Sequence, residues 1–362
     1  MTDSRISDSD DWTLAVDRAE LTRTTLTAAP APTLGPGEAL LRPSRVGLTA
    51  NNVTYALLGD AFGYWRFFPA EPAGLDAEWG LVPLWGFADV VGSTIDGVEV
   101  GQRVYGYLPP SGLLRVRPNR VDERGFRDGS AHRAELPSPY NVYALTTGDS
   151  AYERDREDLL VLYRPLFFTS FMLADELADR QFGGASTLVF SSASSKTAYG
   201  TAYLLCDQDV RVVGLTSPGN IDFTRSLGCY DEVVPYGGIG ELDPAAATGY
   251  VDFAGSDRAR AEVRERLGSS LRFDTVVGMS HQAPDSMAGE VFFAPNQMRK
   301  RSQDWGRDGL DAKFAEAWQG FAAAVEGWVD VRIGHGPEAL RAAWLEVLAG
   351  HTPPRTGHVI VF

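Results

Sequence analysis

The sequence predicts an α/β protein in two parts, a doubly wound parallel-sheet domain and a smaller, partly closed β-barrel. Three observations predict it. From residue 163 onward, short apolar runs alternate with helical segments, the pattern of parallel strands joined by crossovers and covered on both faces. Residues 1–150 read instead as short strands broken by Gly and Pro, as in a small barrel. A turn of small residues also follows the first strand of the alternating region, beginning at Thr187.

In the barrel part, Glu38–Val46 alternates apolar and polar residues as a half-buried strand does. Asp89–Ile95 and Gln102–Leu108 are further β-rich runs. Residues 110–150, rich in Pro, Asn, Asp and Gly, read as long surface connections. Pro165–Asp179 has helical spacing, with Pro165 suited to a first turn. Strands follow at Thr187–Phe190, Val210–Leu215, Glu232–Val234, Gly249–Phe253 and Phe273–Gly278. Helices lie between them at Thr197–Leu205, Ile221–Leu227 and Asp257–Leu267. Leu310, Phe314, Trp318, Phe321 and Val325 form one helical stripe, read as a core face. A last helix at Pro337–Leu348 leads to a closing strand, His358–Phe362.

A net charge of -15, with 44% hydrophobic and 22% charged residues, fits a globular chain and argues against nucleic acid as a partner. Solubility is the plain reading of that acidity. No run reaches the ~20 apolar residues needed to span a bilayer, and Met1–Asp11 is acidic and polar, unlike a signal peptide. A cytoplasmic location and no membrane partner are expected. Cys206 and Cys229 suit a reducing compartment and read as buried structural thiols. The five histidines (His132, His281, His335, His351, His358) include no pair at metal-ligand spacing with another His or a Cys. No metal is expected.

The turn Thr187-Leu-Val-Phe-Ser-Ser-Ala-Ser-Ser-Lys-Thr-Ala-Tyr-Gly200 opens a Rossmann-type βαβ unit. Such a turn aims backbone N–H groups and a helix N-terminus at a dinucleotide pyrophosphate. Ser192, Ser195 and Ala198 stand where G-x-x-G-x-x-G is usual, and Ser194 and Thr197 add hydroxyl donors. Lys196 reads equally as a phosphate partner or a solvated lysine at the helix start. At the end of the second strand, an NAD site carries an acidic residue for the ribose 2′-OH. Here Leu215-Thr-Ser-Pro-Gly-Asn220 offers Thr216, Ser217 and Asn220 as donors to a 2′-phosphate, so NADP is favoured. The same residues also read as a capping loop, with Ser217 or Asn220 as the cap.

Several ordered stretches carry a family resemblance. Val210–Tyr236 contains Gly-Leu-Thr-Ser-Pro-Gly-Asn and Ser-Leu-Gly-Cys-Tyr-Asp-Glu-Val-Val-Pro-Tyr; Gln102-Arg-Val-Tyr-Gly, Val82–Gly92, Asn52 and Thr356-Gly-His-Val-Ile-Val fall in sequence around it. Together they resemble the medium-chain dehydrogenase/reductase superfamily, in its zinc-free quinone-oxidoreductase and enoyl-reductase branch, as a divergent offshoot. The resemblance implies a GroES-like catalytic domain from residues 1–155 and 326–362, with a Rossmann domain, residues 156–325, inserted. It also implies a nicotinamide and substrate in the cleft between them, and a homodimer formed through sheet edges. By the same resemblance Thr169 faces the nicotinamide, while Asn220 and Tyr236 lie near the adenosine phosphate.

Two segments depart from the family pattern. Asn51–Pro69 is far more aromatic, and Phe292–Gly306 has no clear counterpart. Trp65 with the basic Arg299, Lys300 and Arg301 suits an anionic small-molecule substrate; inter-domain packing for the aromatics and a solvated loop for the basic cluster are the plainer readings. The function expected is zinc-independent, NADPH-dependent reduction of an activated C=C bond or carbonyl. Tyr64 is then the proton donor, Tyr55 its reserve and Asn52 an orienting donor. The other reading is a non-redox enzyme or ligand-binding protein on this scaffold, because serine lacks the φ freedom of glycine at the turn.

Overall fold

The computed structural model describes residues 10–277 and 290–362. Residues 1–9, Gly278 and His281, on which expectations were placed, lie outside them. In chain order the elements begin with β1 (Asp10–Asp17), β2 (Thr24–Pro30), β3 (Ala39–Leu48), α1 (Ala50–Leu57), β4 (Trp79–Gly80) and β5 (Leu84–Ser93). Then come β6 (Arg103–Leu108), β7 (Leu114–Val116), β8 (Pro118–Asp122), β9 (Gly125–Asp128), β10 (Val142–Leu145) and α2 (Glu157–Asp179). The alternating region holds β11 (Thr187–Phe190), α3 (Lys196–Leu205), β12 (Arg211–Thr216), α4 (Ile221–Ser226), β13 (Glu232–Pro235), β14 (Thr248–Asp252), α5 (Asp257–Leu267) and β15 (Leu271–Val277). The chain closes with β16 (Glu290–Phe292), α6 (Ala294–Val325), β17 (Asp330–His335), α7 (Gly336–Leu348) and β18 (Thr356–Val361).

Two units form, one from Met1–Leu162 with Asp330–Phe362 and one from Tyr163–Val329. The second is the doubly wound domain. Its parallel strands run in the order β13-β12-β11-β14-β15-β16, which places a topological switch point between β11 and β14. Every residue of β14 is buried, as expected of strands covered on both faces. The stripe Leu310, Phe314, Trp318, Phe321 and Val325 on α6 is buried throughout, and Phe321 stacks on Phe167 of α2 with ring centroids 4.2 Å apart. Burying each such ring stabilises the unit by about 2 kcal/mol.

The first unit is the GroES-like part. A nine-stranded mixed sheet runs β17-β18-β3-β5-β6-β10-β9-β8, with β7 also on β3, beside a three-stranded sheet β2-β1-β4. The strands β1, β2 and β17 have no counterpart in the sequence reading.

Three expectations are corrected. Helix α2 starts at Glu157, so Pro165 lies inside it rather than in its first turn. Glu157 and Asp158 suit a helix N-terminus and are pinned there: Arg103 grips Glu157 through Nε and Nη2 at 2.7 and 2.8 Å, and Arg45 pairs with Asp158. Pro165 has no N–H for the carbonyl of Val161, and Gly47 of β3 packs against that carbonyl. A Cβ on Gly47 would lie 2.3 Å from the oxygen. Gly47→Ala is therefore expected to destabilise the first unit by about 1–3 kcal/mol, measured by urea denaturation; an unchanged midpoint would refute the close approach.

Residues 110–150 are not surface connections. They supply β7–β10 and a buried polar core around Arg133, which is 1% exposed. Finally, Cys229 is buried but Cys206 is exposed, because it follows the last turn of α3 on the solvent side. Among the described residues, no helix is long and apolar enough to cross a membrane.

Candidate functional site

In the Rossmann unit, the C-terminal ends of β11, β12 and β13 bring together most of the residues that the sequence places on the cofactor side. Ser192 has φ +48, the left-handed conformation that glycine adopts without strain. The serine thus sits in a backbone conformation that glycine adopts freely. Its amide donates to the hydroxyl of Tyr236 at 2.8 Å. Ala193 is held between the carbonyl of Leu215 and the hydroxyl of Tyr230, each at 2.9 Å. Ser194 Oγ accepts from Asn220 Nδ2 at 3.1 Å and lies 3.4 Å from Thr216 Oγ1. Ser195 caps α3 by accepting from the amide of Ala198.

A buried carboxylate anchors the turn from the far side of the switch point. Asp252, at the end of β14, accepts from Ser191 Oγ at 2.7 Å and from the amides of Ala254 and Gly255. Arg260 neutralises it at 2.9 Å. Sequence reasoning missed this group, since nothing in the spacing of Ser191 and Asp252 marks them as neighbours.

Lys196 opens α3 with its ammonium 5.6 Å from the ring of Tyr163, and burial pushes it down to about 8. Thr197 offers its carbonyl to Ser170 and Thr201. Thr169 Oγ1 bonds back to the carbonyl of Pro165, a common use of threonine inside a helix. Neither Ser217 nor Asn220 caps α4 through its side chain. The capping alternative is thereby corrected: Asn220 turns its amide toward Ser194, and Ser217 stays exposed. No carboxylate is among the groups these side chains hold at the end of β12.

In the first unit, an aromatic cluster surrounds Tyr55. The rings of Tyr55 and Tyr64 lie 4.7 Å apart, and Tyr55 meets Tyr107 edge-on at 5.6 Å. Trp85 and Tyr140 complete the group, 5.8 Å apart. Tyr55 is 4% exposed, whereas Tyr64, Trp85 and Tyr140 are half-buried. Two N–H groups donate to the oxygen of Tyr55: Asn51 Nδ2 at 2.7 Å and Trp85 Nε1 at 3.1 Å. Burial raises the pKa of Tyr55, and those two donors oppose the rise. Tyr64 is likewise raised by burial, against a hydrogen bond from Tyr140.

Asn52 does not orient either tyrosine. Its Oδ1 accepts from the amide of Thr49 at 2.8 Å, closing a capping box on α1, and its Nδ2 donates to the carbonyl of Pro83 at 2.9 Å. The neighbouring Asn51 is the residue that reaches Tyr55. Trp65 is core: it is 3% exposed, and Gly59 and Gly80 lie flat against its indole.

The basic segment forms part of α6. Arg301 is bound by Asp175 at 2.6 Å, Asp304 at 2.8 Å and Asp179 at 2.9 Å, and Lys300 pairs with Asp179. Arg299 is exposed and touches Asn296 at 3.4 Å. Aspartates therefore already balance Lys300 and Arg301, which differs from the open cationic surface read from sequence. Among the described residues, no group of three His, Cys, Asp or Glu side chains is placed to hold a metal ion.

A GroES-like unit with a Rossmann domain inserted before its last strands is the fold of the medium-chain dehydrogenase/reductases. The chain belongs to the family described as protein of unknown function (DUF2855), whose model matches residues 46–353. No curated protein matches its sequence. Among solved structures it is similar to CurA from Vibrio vulnificus in complex with NADPH, with a TM-score of 0.62 and 16% identity over 97% of this chain and 98% of that one. It is also similar to a putative NADPH:quinone reductase from Bacillus thuringiensis (TM-score 0.55, 12% identity, 98% and 99% covered). A mutant enoyl thioester reductase from Candida tropicalis has a TM-score of 0.54 and 11% identity, with 98% and 100% covered.

Proposed function

We propose that this protein is an NADPH-dependent reductase of an activated C=C bond or a carbonyl. The observation that carries the reading is Ser192: a serine held at φ +48 at the switch point preserves the phosphate-binding path without its glycine. Thr216, Ser217 and Asn220, in place of an acidic residue, favour a 2′-phosphate. The turn fits the dinucleotide, with Ser194, Lys196, Asn220 and Tyr236 as its polar partners and Thr169 on α2 as a further contact.

NADPH supplies a hydride to the electrophilic carbon of the substrate. This chain's own residues must then protonate the resulting enolate or alkoxide in a dry site. Tyr55 is the donor we favour, because its oxygen is fixed by two N–H groups; Tyr64, beside it, is the alternative. The substrate is a small molecule. The pairing of Lys300 and Arg301 with aspartates removes the main argument for an anionic one.

Titration of nicotinamide fluorescence tests the cofactor. Ser217→Glu is expected to weaken NADPH binding by about tenfold or more through charge repulsion, and no binding to the wild type at millimolar NADPH would sink the reading. Affinity should also depend on pH. Burial holds the Lys196 ammonium down at about 8, so its attraction for phosphate is expected to be full below pH 7 and to decline as pH rises through 8. Lys196→Ala should flatten that decline; an identical pH profile would exclude the lysine from the phosphate site.

A second reading, a ligand-binding protein or non-redox enzyme, is favoured by one observation. The amide of Ser192 already has Tyr236 as a partner. Substrate turnover without NADPH would support it.

A further inference from the structure

We propose that Asn51 and Trp85 are positioning residues that commit the phenolic proton of Tyr55 to the substrate and hold the tyrosinate left behind. The inference rests on the reading above, in which Tyr55 supplies the proton.

A phenol oxygen offers two lone pairs and one proton. Asn51 Nδ2 and Trp85 Nε1 donate to that oxygen at 2.7 and 3.1 Å. An indole N–H is a donor only, so Trp85 fixes the sense of its bond. With both lone pairs engaged, Tyr55 can meet a third group only as a donor. The two partners come from different elements. Asn51 lies one helical turn before Tyr55 on α1, where i and i+4 side chains meet. Trp85 comes from β5, beside Tyr107.

The arrangement also suits the product of proton transfer. The O–H bond of Tyr55 breaks, a C–H or O–H bond forms on the substrate, and the bonding pair stays on the phenol oxygen. The two N–H groups then face an anion, to which hydrogen bonds are about twice as strong as to a neutral oxygen. Once product leaves, solvent returns a proton to the tyrosinate. Burial works against that anion, and the hydrogen bonds of Trp85 and Asn51, with a smaller contribution from Tyr107, counter it.

Asn51→Asp tests the inference, since it keeps the shape of the side chain and replaces the donor by an acceptor. The new carboxylate accepts a hydrogen bond from the Tyr55 hydroxyl and so holds its proton away from the substrate. Reduction of cyclohex-2-enone by NADPH is expected to lose roughly 100-fold in kcat, with KM and NADPH affinity within about twofold. Activity should return as pH falls and the carboxylate is protonated, a response that a merely structural role would not produce. Trp85→Phe removes one donor and should cost about tenfold. Binding of p-nitrophenolate, read by its absorbance without cofactor, gives an assay independent of turnover: both variants should weaken it by about tenfold. Unchanged p-nitrophenolate affinity in both variants, with melting temperatures at the wild-type value, would overturn the inference. Absence of NADPH binding in the wild type would overturn the reductase reading instead, and the p-nitrophenolate comparison would still decide the role of Asn51 and Trp85.

Discussion

Replacing Arg133 with alanine is expected to destabilise the GroES-like unit by about 3–5 kcal/mol, the cost of leaving one partner of a buried ion pair alone. Its guanidinium is 1% exposed and binds Asp128 at 3.0 Å, Asn141 Oδ1 at 2.9 Å, the Tyr143 hydroxyl at 2.9 Å and the Tyr140 carbonyl at 2.7 Å. It also stacks over Phe68 and Phe67 with its carbon 5.0 and 5.5 Å from their centroids. Truncation thus removes a charge, a set of hydrogen bonds and a packed plane together. Asp128 would remain, 3% exposed, with its Oδ1 still bound by local N–H groups and its Oδ2 deserted. Pairing Arg133→Met with Asp128→Asn should recover part of the loss. Chemical denaturation reads both variants, and a loss below about 1 kcal/mol for Arg133→Ala would show that the network relaxes without cost.

Tyr55→Phe carries the largest expected effect on activity. On the proposed reading, deleting the proton donor costs about 10²–10⁴ in rate, and NADPH affinity should stay where it was because Tyr55 belongs to the other unit from the Ser192–Ser195 turn. Tyr64→Phe is expected to cost at most about tenfold, through lost packing against Tyr55 and Tyr140. Steady-state reduction of cyclohex-2-enone separates the two. If Tyr64→Phe is the variant that collapses kcat, the roles are reversed and the sequence-only preference for Tyr64 stands.

How much of this was legible beforehand depended on the kind of residue involved. The Rossmann strands were plain because buried parallel strands read as uninterrupted apolar runs, and β11 falls on Thr187–Phe190 as the sequence predicts. The start of α2 was hidden because proline at a first helical position and proline inside a helix look alike in sequence. Residues 110–150 looked like loops because their core is polar: Arg133, Asp128 and Asn141 carry no apolar periodicity. Within Asn51–Pro69 the sequence singles out Asn52, whereas Asn51 is the asparagine whose side chain bonds Tyr55. Adjacent residues on a helix point about 100° apart, and sequence alone does not say which of Asn51 and Asn52 faces Tyr55. Likewise Lys300 finds Asp179 and Arg301 finds Asp175 more than 120 positions away in the chain, beyond any local pattern.

The unequal exposure of the two cysteines makes the native protein chemically addressable at a single point. Cys206 is open to reagents at the end of α3, whereas Cys229 is buried against the carbonyl of Tyr199, and burial pushes its thiol up to about 12. Since the thiolate is the reactive form, a maleimide dye should attach once per folded chain, and mass spectrometry would expose any second adduct. The label would sit at the far end of the helix whose first residue is Lys196, a built-in place from which to watch the Ser192–Ser195 turn without altering it.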